Sequence, residues 1–187
     1  MFKLNIIDTE KPSSHLNLDY LHQYGNGDTF IETGTYYGDT VQLALNAGFN
    51  KIHSVELDTG LFDKAVKRFA NNDNVRIWYG DSVDSLKDIL ALVNGPATFW
   101  LDAHASGELV GCKSGGSPVV DELTIIQAHS CNEHTIFIDD RRLFGSAEWS
   151  FVKEEDAMEL LRKINPNYKI LYLDGHVPGD VICATVK

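Results

Sequence analysis

Short apolar runs of strand type alternate with helix-type patterns along most of this chain, and that alternation leaves few folds open. The runs are Thr29–Thr33, Lys51–Glu56, Val75–Tyr79, Thr98–Asp102, Thr135–Asp139, Lys169–Leu173 and Val181–Val186. The helical patterns among them are Asp39–Ala47, Thr59–Ala70, Val83–Val93, Pro118–His129 and Glu154–Ile164. Strands alternating with helices build right-handed βαβ units around a parallel sheet, since a twisted strand feeding a helix packs back with one hand only. The last two runs break the pattern. Only "DGHVPGD" separates them, too short for a crossover helix, so they are expected to pair as an antiparallel hairpin. The expectation is an α/β fold: a seven-stranded, mostly parallel sheet closed by a C-terminal antiparallel hairpin, with helices on both faces.

The 187 residues, 43% of them hydrophobic, suit one domain spanning 1–187, with 1–27 as a short N-terminal segment. No apolar run reaches membrane-spanning length, and the start "MFKLNIIDTEKPSSHLNLDY" has no apolar core behind a basic end, so it is not read as a signal peptide. Three cysteines, Cys112, Cys131 and Cys183, show no CxxC spacing. They argue against a disulfide framework or zinc knuckle and point to the reducing cytoplasm. A formal charge of −11 repels phosphate backbones, which argues against a nucleic-acid partner. The only dense basic spot is Arg141-Arg142.

In an open α/β sheet, ligands bind where the strands end. The first strand ends in Glu32-Thr33-Gly34, with Gly38 following. Those glycines let backbone approach a ligand, or merely close a tight turn. The second ends "HSVELD", placing Glu56 where an acid accepts from ribose hydroxyls; Asp58 is better placed to cap the next helix. The third ends "WYGDSVDSL", where Asp81 or Ser82 could receive an adenine amine, cap a helix, or both. The fourth and fifth end "FWLDAHAS" and "IFIDDRRLFG". If these two are neighbours, Asp102, Asp139 and Asp140 converge, and crowded carboxylates call for protons or a hard cation such as Mg²⁺. The alternative pairs them with Arg141, Arg142 or helix termini. Asp139 and Asp140 can both serve only if the strand ends between them, because adjacent strand residues face opposite ways.

After Asp102, "HASGELVGCKSGGSP" (104–118) holds four glycines and three serines. A loop of this kind in a compact domain is expected to be functional, and residues 106–116 to act as a lid. Ser117 suits an N-cap and Pro118 the first helical position. His104, on the lip of that loop, has the neutral-range pKa of a general base. His15, His22, His129 and His134 are expected on the surface.

The order of strand-end signals resembles the class I S-adenosylmethionine (SAM)-dependent methyltransferases. "FIETGTYYGDT" looks like their E-x-G-x-x-x-G motif, "SVELD" like the motif holding the ribose acid, and "YGDS" like the adenine-side motif. The resemblance implies a Rossmann-like fold over about residues 28–186. It implies a cofactor set of Glu32, Thr33, Gly34, Gly38, Thr40, Glu56, Leu57, Asp81, Ser82 and Asp102. Glu32 would face the amino-acid end of the cofactor, and Gly34 would let the chain pass beneath it. Within that superfamily, "WLDAH" and "FIDDRR" are similar to the metal-dependent macrocin-type sugar O-methyltransferases. That similarity implies Mg²⁺ on Asp102, Asp139 and Asp140. Where that group carries an acid as candidate base, this chain has His104. The N-terminal segment is also much shorter than that group's lid.

The function so implied is methylation of a hydroxyl on a small polar or saccharide acceptor, with His104 or Asp102 as the catalytic base. Two other readings stand beside it. One is an NAD-dependent or nucleotide-sugar enzyme on a Rossmann sheet, which the absence of GxGxxG opposes. The other is a non-catalytic nucleoside-binding module.

Overall fold

The computed structural model describes residues 15–103 and 117–187. The expected lid at 106–116, His104 and Cys112 fall outside them, as does the chain before His15.

Seven strands form one sheet in the order β3-β2-β1-β4-β5-β7-β6. They are β1 (Thr29–Thr33), β2 (Lys51–Glu56), β3 (Val75–Tyr79), β4 (Ala97–Leu101), β5 (Thr135–Ile138), β6 (Lys169–Leu173) and β7 (Val181–Thr185). The first five are parallel; β7 pairs antiparallel with both β5 and β6. The fold is thus the α/β arrangement expected, hairpin included. The chain winds outward from β1 to β3 and then returns to lay β4 on the other side of β1. The β1/β4 boundary is therefore the topological switch point, where the crossovers diverge and a crevice opens.

The helices are α1 (Leu18–Tyr24), α2 (Asp39–Asn46), α3 (Thr59–Arg68), α4 (Ser82–Leu90), α5 (Val119–Gln127) and α6 (Glu154–Ile164). β1, β4 and β5 are buried at every position, as strands covered on both faces must be. Alternate residues serve opposite layers. Ile31, Phe99, Leu101, Ile136 and Ile138 pack with α4, α5 and α6; Phe30, Ile52, Trp100 and Phe137 pack with α1, α2 and the end of α3.

Several boundaries differ from the sequence expectation by one to three residues, and three of them bear on the site. β4 is shifted one residue towards its start, so Asp102 lies past the strand. β5 stops at Ile138, and Asp140 takes the left-handed conformation, φ 54°. The turn lets Asp139 and Asp140 escape strand alternation. Helix α5 begins at Val119, with Pro118 just before it, while the Ser117 hydroxyl accepts from the Val119 amide at 3.4 Å. Helix α1 was not anticipated; Asn17 caps it through the Tyr20 amide at 2.9 Å.

Candidate functional site

Strand register aligns the carboxyl ends. Thr33 lies opposite both Val55 and Leu101, and Glu56 opposite Tyr79. Across the four neighbouring strands β3, β2, β1 and β4, the acids at or just past these ends are Asp81, Glu56, Glu32 and Asp102. The site is a row of carboxyl groups along one edge of the switch point.

Both glycines of the first motif are required by the protein itself. At Gly34, φ is +89° and a Cβ would stand 2.6 Å from the Asp102 carbonyl oxygen; at Gly38, φ is +80° and a Cβ would stand 2.7 Å from the Phe69 ring. The close approach expected beneath a ligand is therefore first an approach of β1 to the chain leaving β4. Asp102 N–H donates to the Thr33 carbonyl at 3.1 Å, sealing the same junction.

Glu32 is 1% exposed. Burial pushes its carboxyl up to about 8, and the charges of Asp102 and Glu56 push the same way, against the hydroxyls of Ser54 and Thr40. The Ser54 hydroxyl donates to Oε2 at 2.5 Å, and Thr35 Oγ1 lies 2.5 Å from Ser54 Oγ. Thr40, on α2, is buried beside this chain. Glu56 is fixed differently: Oε2 accepts from the Tyr36 amide at 2.8 Å and Oε1 from the Asp58 amide at 2.9 Å. It thereby holds Tyr36 in the left-handed region at φ 50°, a costly conformation for a side-chain-bearing residue. Each Glu56 oxygen keeps a further lone pair. Asp58 caps α3 through the Leu61 amide at 2.8 Å. Leu57 is 39% exposed on the rim.

Asp81 caps α4, accepting from the Val83 amide at 3.0 Å. Ser82 Oγ and Glu122 Oε1 are both buried, and the Ser82 and Thr33 side chains act on the Glu122 carboxyl as hydrogen-bond partners. Glu122 was missed by the sequence reading. It sits in the first turn of α5, and burial pushes its carboxyl up to about 7. The only sequence signal is an acid on the apolar face of "VVDELTII".

The expected trio of metal ligands is brought together only in part. β4 and β5 are neighbours, yet the ligand atoms within 4.8 Å of one another belong to His15, Asp139, Asp140 and Asp180, without Asp102. His15 Nδ1 lies 2.9 Å from Asp139 Oδ2, and that hydrogen bond raises the imidazole pKa. Arg142 donates to Asp140 at 2.5 Å and also to Asp180. Arg141 instead bonds Glu154 at 3.0 Å and lies over the Tyr172 ring. Arg142 thus already occupies Asp140 and Asp180, and His15 bonds Asp139, so the implied Mg²⁺ would have to displace existing partners.

Asp180 arrives because β7 runs antiparallel, which puts its amino end at the carboxyl edge of β5. Two surface histidines are also corrected. His15 is half-buried in this cluster, and His134 is fully buried at the opposite edge. There the Ala97 amide donates to His134 Nδ1 at 3.0 Å, and His134 Nε2 lies 3.1 Å from His129 Nδ1. Burial takes His134 down to about 4, the mark of a neutral structural link. His22 is exposed, as expected. Cys131 and Cys183 are free thiols.

No protein-family model matches the chain, and no curated protein matches its sequence. Solved structures match in fold. An O-methyltransferase from Bacillus cereus, in complex with SAH, is 18% identical, with 91% of this chain and 78% of that one covered at a TM-score of 0.59. A structure described as an rRNA methylase from Clostridium thermocellum is 10% identical, covering 90% and 94% at 0.61. Spermidine synthase from Thermotoga maritima is 12% identical, covering 90% and 56% at 0.58. The architecture is the class I methyltransferase fold. Among the described residues, no helix is long and apolar enough to cross a membrane.

Proposed function

We propose that this protein is a SAM-dependent methyltransferase acting on a hydroxyl of a small polar acceptor such as a saccharide. The observation that carries the reading is the row Asp81, Glu56, Glu32 and Asp102 along the switch point. Such a row suits a ligand with a sulfonium, an ammonium and ribose hydroxyls. It opposes the pyrophosphate of NAD or a nucleotide sugar, which needs backbone amides and positive charge.

In this reading, Glu56 receives the ribose hydroxyls on its remaining lone pairs. Asp81 and Ser82 lie on the adenine side, and Leu57 packs against the base. Glu32, Thr33, Gly34, Gly38 and Thr40 shape the methionine end. The acceptor oxygen attacks the methyl carbon in line: the new C–O bond forms as the C–S bond breaks, and its electron pair stays on sulfur. Most of the acceleration comes from alignment of the two partners. The hydroxyl proton passes to Asp102 or to His104, the base expected on the loop that follows. No step is routed through Mg²⁺. The rRNA methylase among the fold neighbours leaves nucleic acid as a rival acceptor class, and the charge of −11 opposes it.

The test is transfer of labelled methyl from SAM to a panel of polyhydroxylated small molecules and to RNA. Label in a saccharide, lost in Asp102→Asn, supports the reading. Label in RNA alone overturns the acceptor class. Cofactor bound with no acceptor labelled supports the non-catalytic alternative.

A further inference from the structure

Past the end of β5 the chain turns through Arg141 and Arg142 and leaves a cavity of about 360 Å³ against the start of α6. Arg141, Arg142 and Lys153 line it with donors, Glu154 and Glu155 with acceptors, and Phe144 with an aromatic ring. Ligand pockets run from roughly 300 to 1,000 Å³, so this one suits a single ring-sized unit. Its polar walls are held in place before any ligand arrives. Arg142 is pinned through Nη1 by Asp140, at 2.5 Å, and by Asp180. Arg141 Nε donates to Glu154 Oε1 at 3.0 Å, and the Tyr172 hydroxyl donates to the same oxygen at 3.2 Å. The Arg141 guanidinium lies 4.2 Å from the centre of the Tyr172 ring. Phe144 packs edge-on against the buried Trp149, with ring centres 4.7 Å apart. Among the described residues, no group of the protein bonds Arg142 Nε, Arg142 Nη2 or Lys153 Nζ. Groups fixed in this way and still able to bond lose little side-chain freedom when a ligand binds.

We propose that this cavity is a sugar subsite, holding the unit of a saccharide acceptor next to the unit that is methylated. The inference rests on the saccharide reading above. Charges of both signs line the walls, so an anion would meet Glu154 and Glu155, and a cation would meet Arg141, Arg142 and Lys153. A hydroxyl both donates and accepts. A neutral polyol therefore satisfies both kinds of wall at once, and the C–H face of its ring packs on Phe144 away from water. Position decides which unit sits here. The cavity opens just after Asp140, on the same edge of the sheet as Asp102. Yet β5 stands one strand spacing, roughly 4.8 Å, beyond β4 and so farther from the β1/β4 switch point. The ring whose hydroxyl reacts has to lie over the switch point, and its neighbour in the saccharide falls at the cavity.

Saturation-transfer NMR of the whole protein, without cofactor, is the experiment. The probes are the neutral disaccharides maltose, cellobiose and lactose, with glucose, glucuronate and glucosamine for comparison. At least one disaccharide is expected to receive saturation and to bind more tightly than all three monosaccharide probes. Lys153→Ala, at an exposed position, is expected to weaken that binding roughly threefold to tenfold, as the loss of one hydrogen bond does. Phe144→Ala, checked for an intact melting transition, is expected to remove most of the saturation reaching the C–H protons of one ring. Should Phe144→Ala not fold, Lys153→Ala decides, and unchanged binding there overturns the inference. Saturation in none of the disaccharides overturns it, as does tighter binding of glucuronate or glucosamine. Methyl transfer to a saccharide that does not depend on Lys153 or Phe144 overturns the subsite alone and leaves the methylation reading standing. Disaccharide binding by a protein that takes no S-adenosylmethionine overturns the cofactor reading, and with it the part of this cavity in methylation.

Discussion

Glu32 shows how one buried carboxyl can set the pH response of a whole domain. Its folded value of about 8 lies above its ordinary 4.5, so between those pH values the folded state holds a proton that the unfolded state has released. Stability therefore falls as pH rises through that window, by about 1.4 kcal/mol per pH unit for one whole proton. Glu122 contributes in the same direction up to about 7. His134 opposes them: its folded value of about 4 is below 6.5, so its penalty grows only as pH drops under 6.5. From pH 6.5 to 8 the carboxyls dominate, and stability is expected to decline. Urea denaturation across that range should show a shallower decline for Glu32→Gln, whereas an identical slope would mean that Glu32 is ionised throughout. The sequence shows Glu32 at a strand end, but not this state. Its state arises from burial between covered layers of the sheet, opposed by hydrogen bonds from Ser54 and Thr40, which only the fold brings near.

At the scale of elements, the junction between the end of β5 and the start of β7 carries the heaviest ionic demand. Arg142 is held by Asp140 and Asp180, whose side chains are almost wholly buried. Removing one partner leaves a charge buried without a counterion. Arg142→Ala is expected to cost roughly 3–5 kcal/mol by chemical denaturation, against under about 1 kcal/mol for Arg68→Ala in its exposed pair with Asp39. Equal costs would show that the junction is hydrated. His15 ties the start of the described chain to the same junction. Its raised value means that the tie contributes fully below pH 6.5 and is lost as pH rises through the folded pKa. His15→Ala should therefore cost stability at pH 6 and much less at pH 9. Asp139 and Asp140 were legible from "FIDDRR"; Asp180 was implicit in the antiparallel hairpin. His15 carried no local signal, because a long-range contact pairs it with Asp139.

For the molecule as a whole, hydrophobic period and strand-end chemistry specified the sheet. Six of the seven strands begin where the apolar runs do and end with them or one residue short of their ends, and β4 is shifted by one residue at both ends. The interior strands carry long apolar runs because both faces are covered, which makes them readable. Helix α1 was missed because Leu21 is its only buried residue, so it shows no apolar stripe. Asp102 stands apart from the Asp139–Asp140 cluster for a physical reason: proximity of strand ends does not fix where side chains point, and Arg142 already bonds Asp140. Residues 104–116, His104 among them, lie outside the described residues.

The central claim is that the acidic switch point takes a SAM-type cofactor. Calorimetry of the purified protein with S-adenosylhomocysteine, S-adenosylmethionine and NAD tests it most directly. Micromolar dissociation constants for the first two are expected, on the order of −8 kcal/mol, with Glu56→Ala weakening both by roughly 1–3 kcal/mol and no heat from NAD. Heat from NAD, with none from either adenosyl ligand at millimolar concentration, would contradict it.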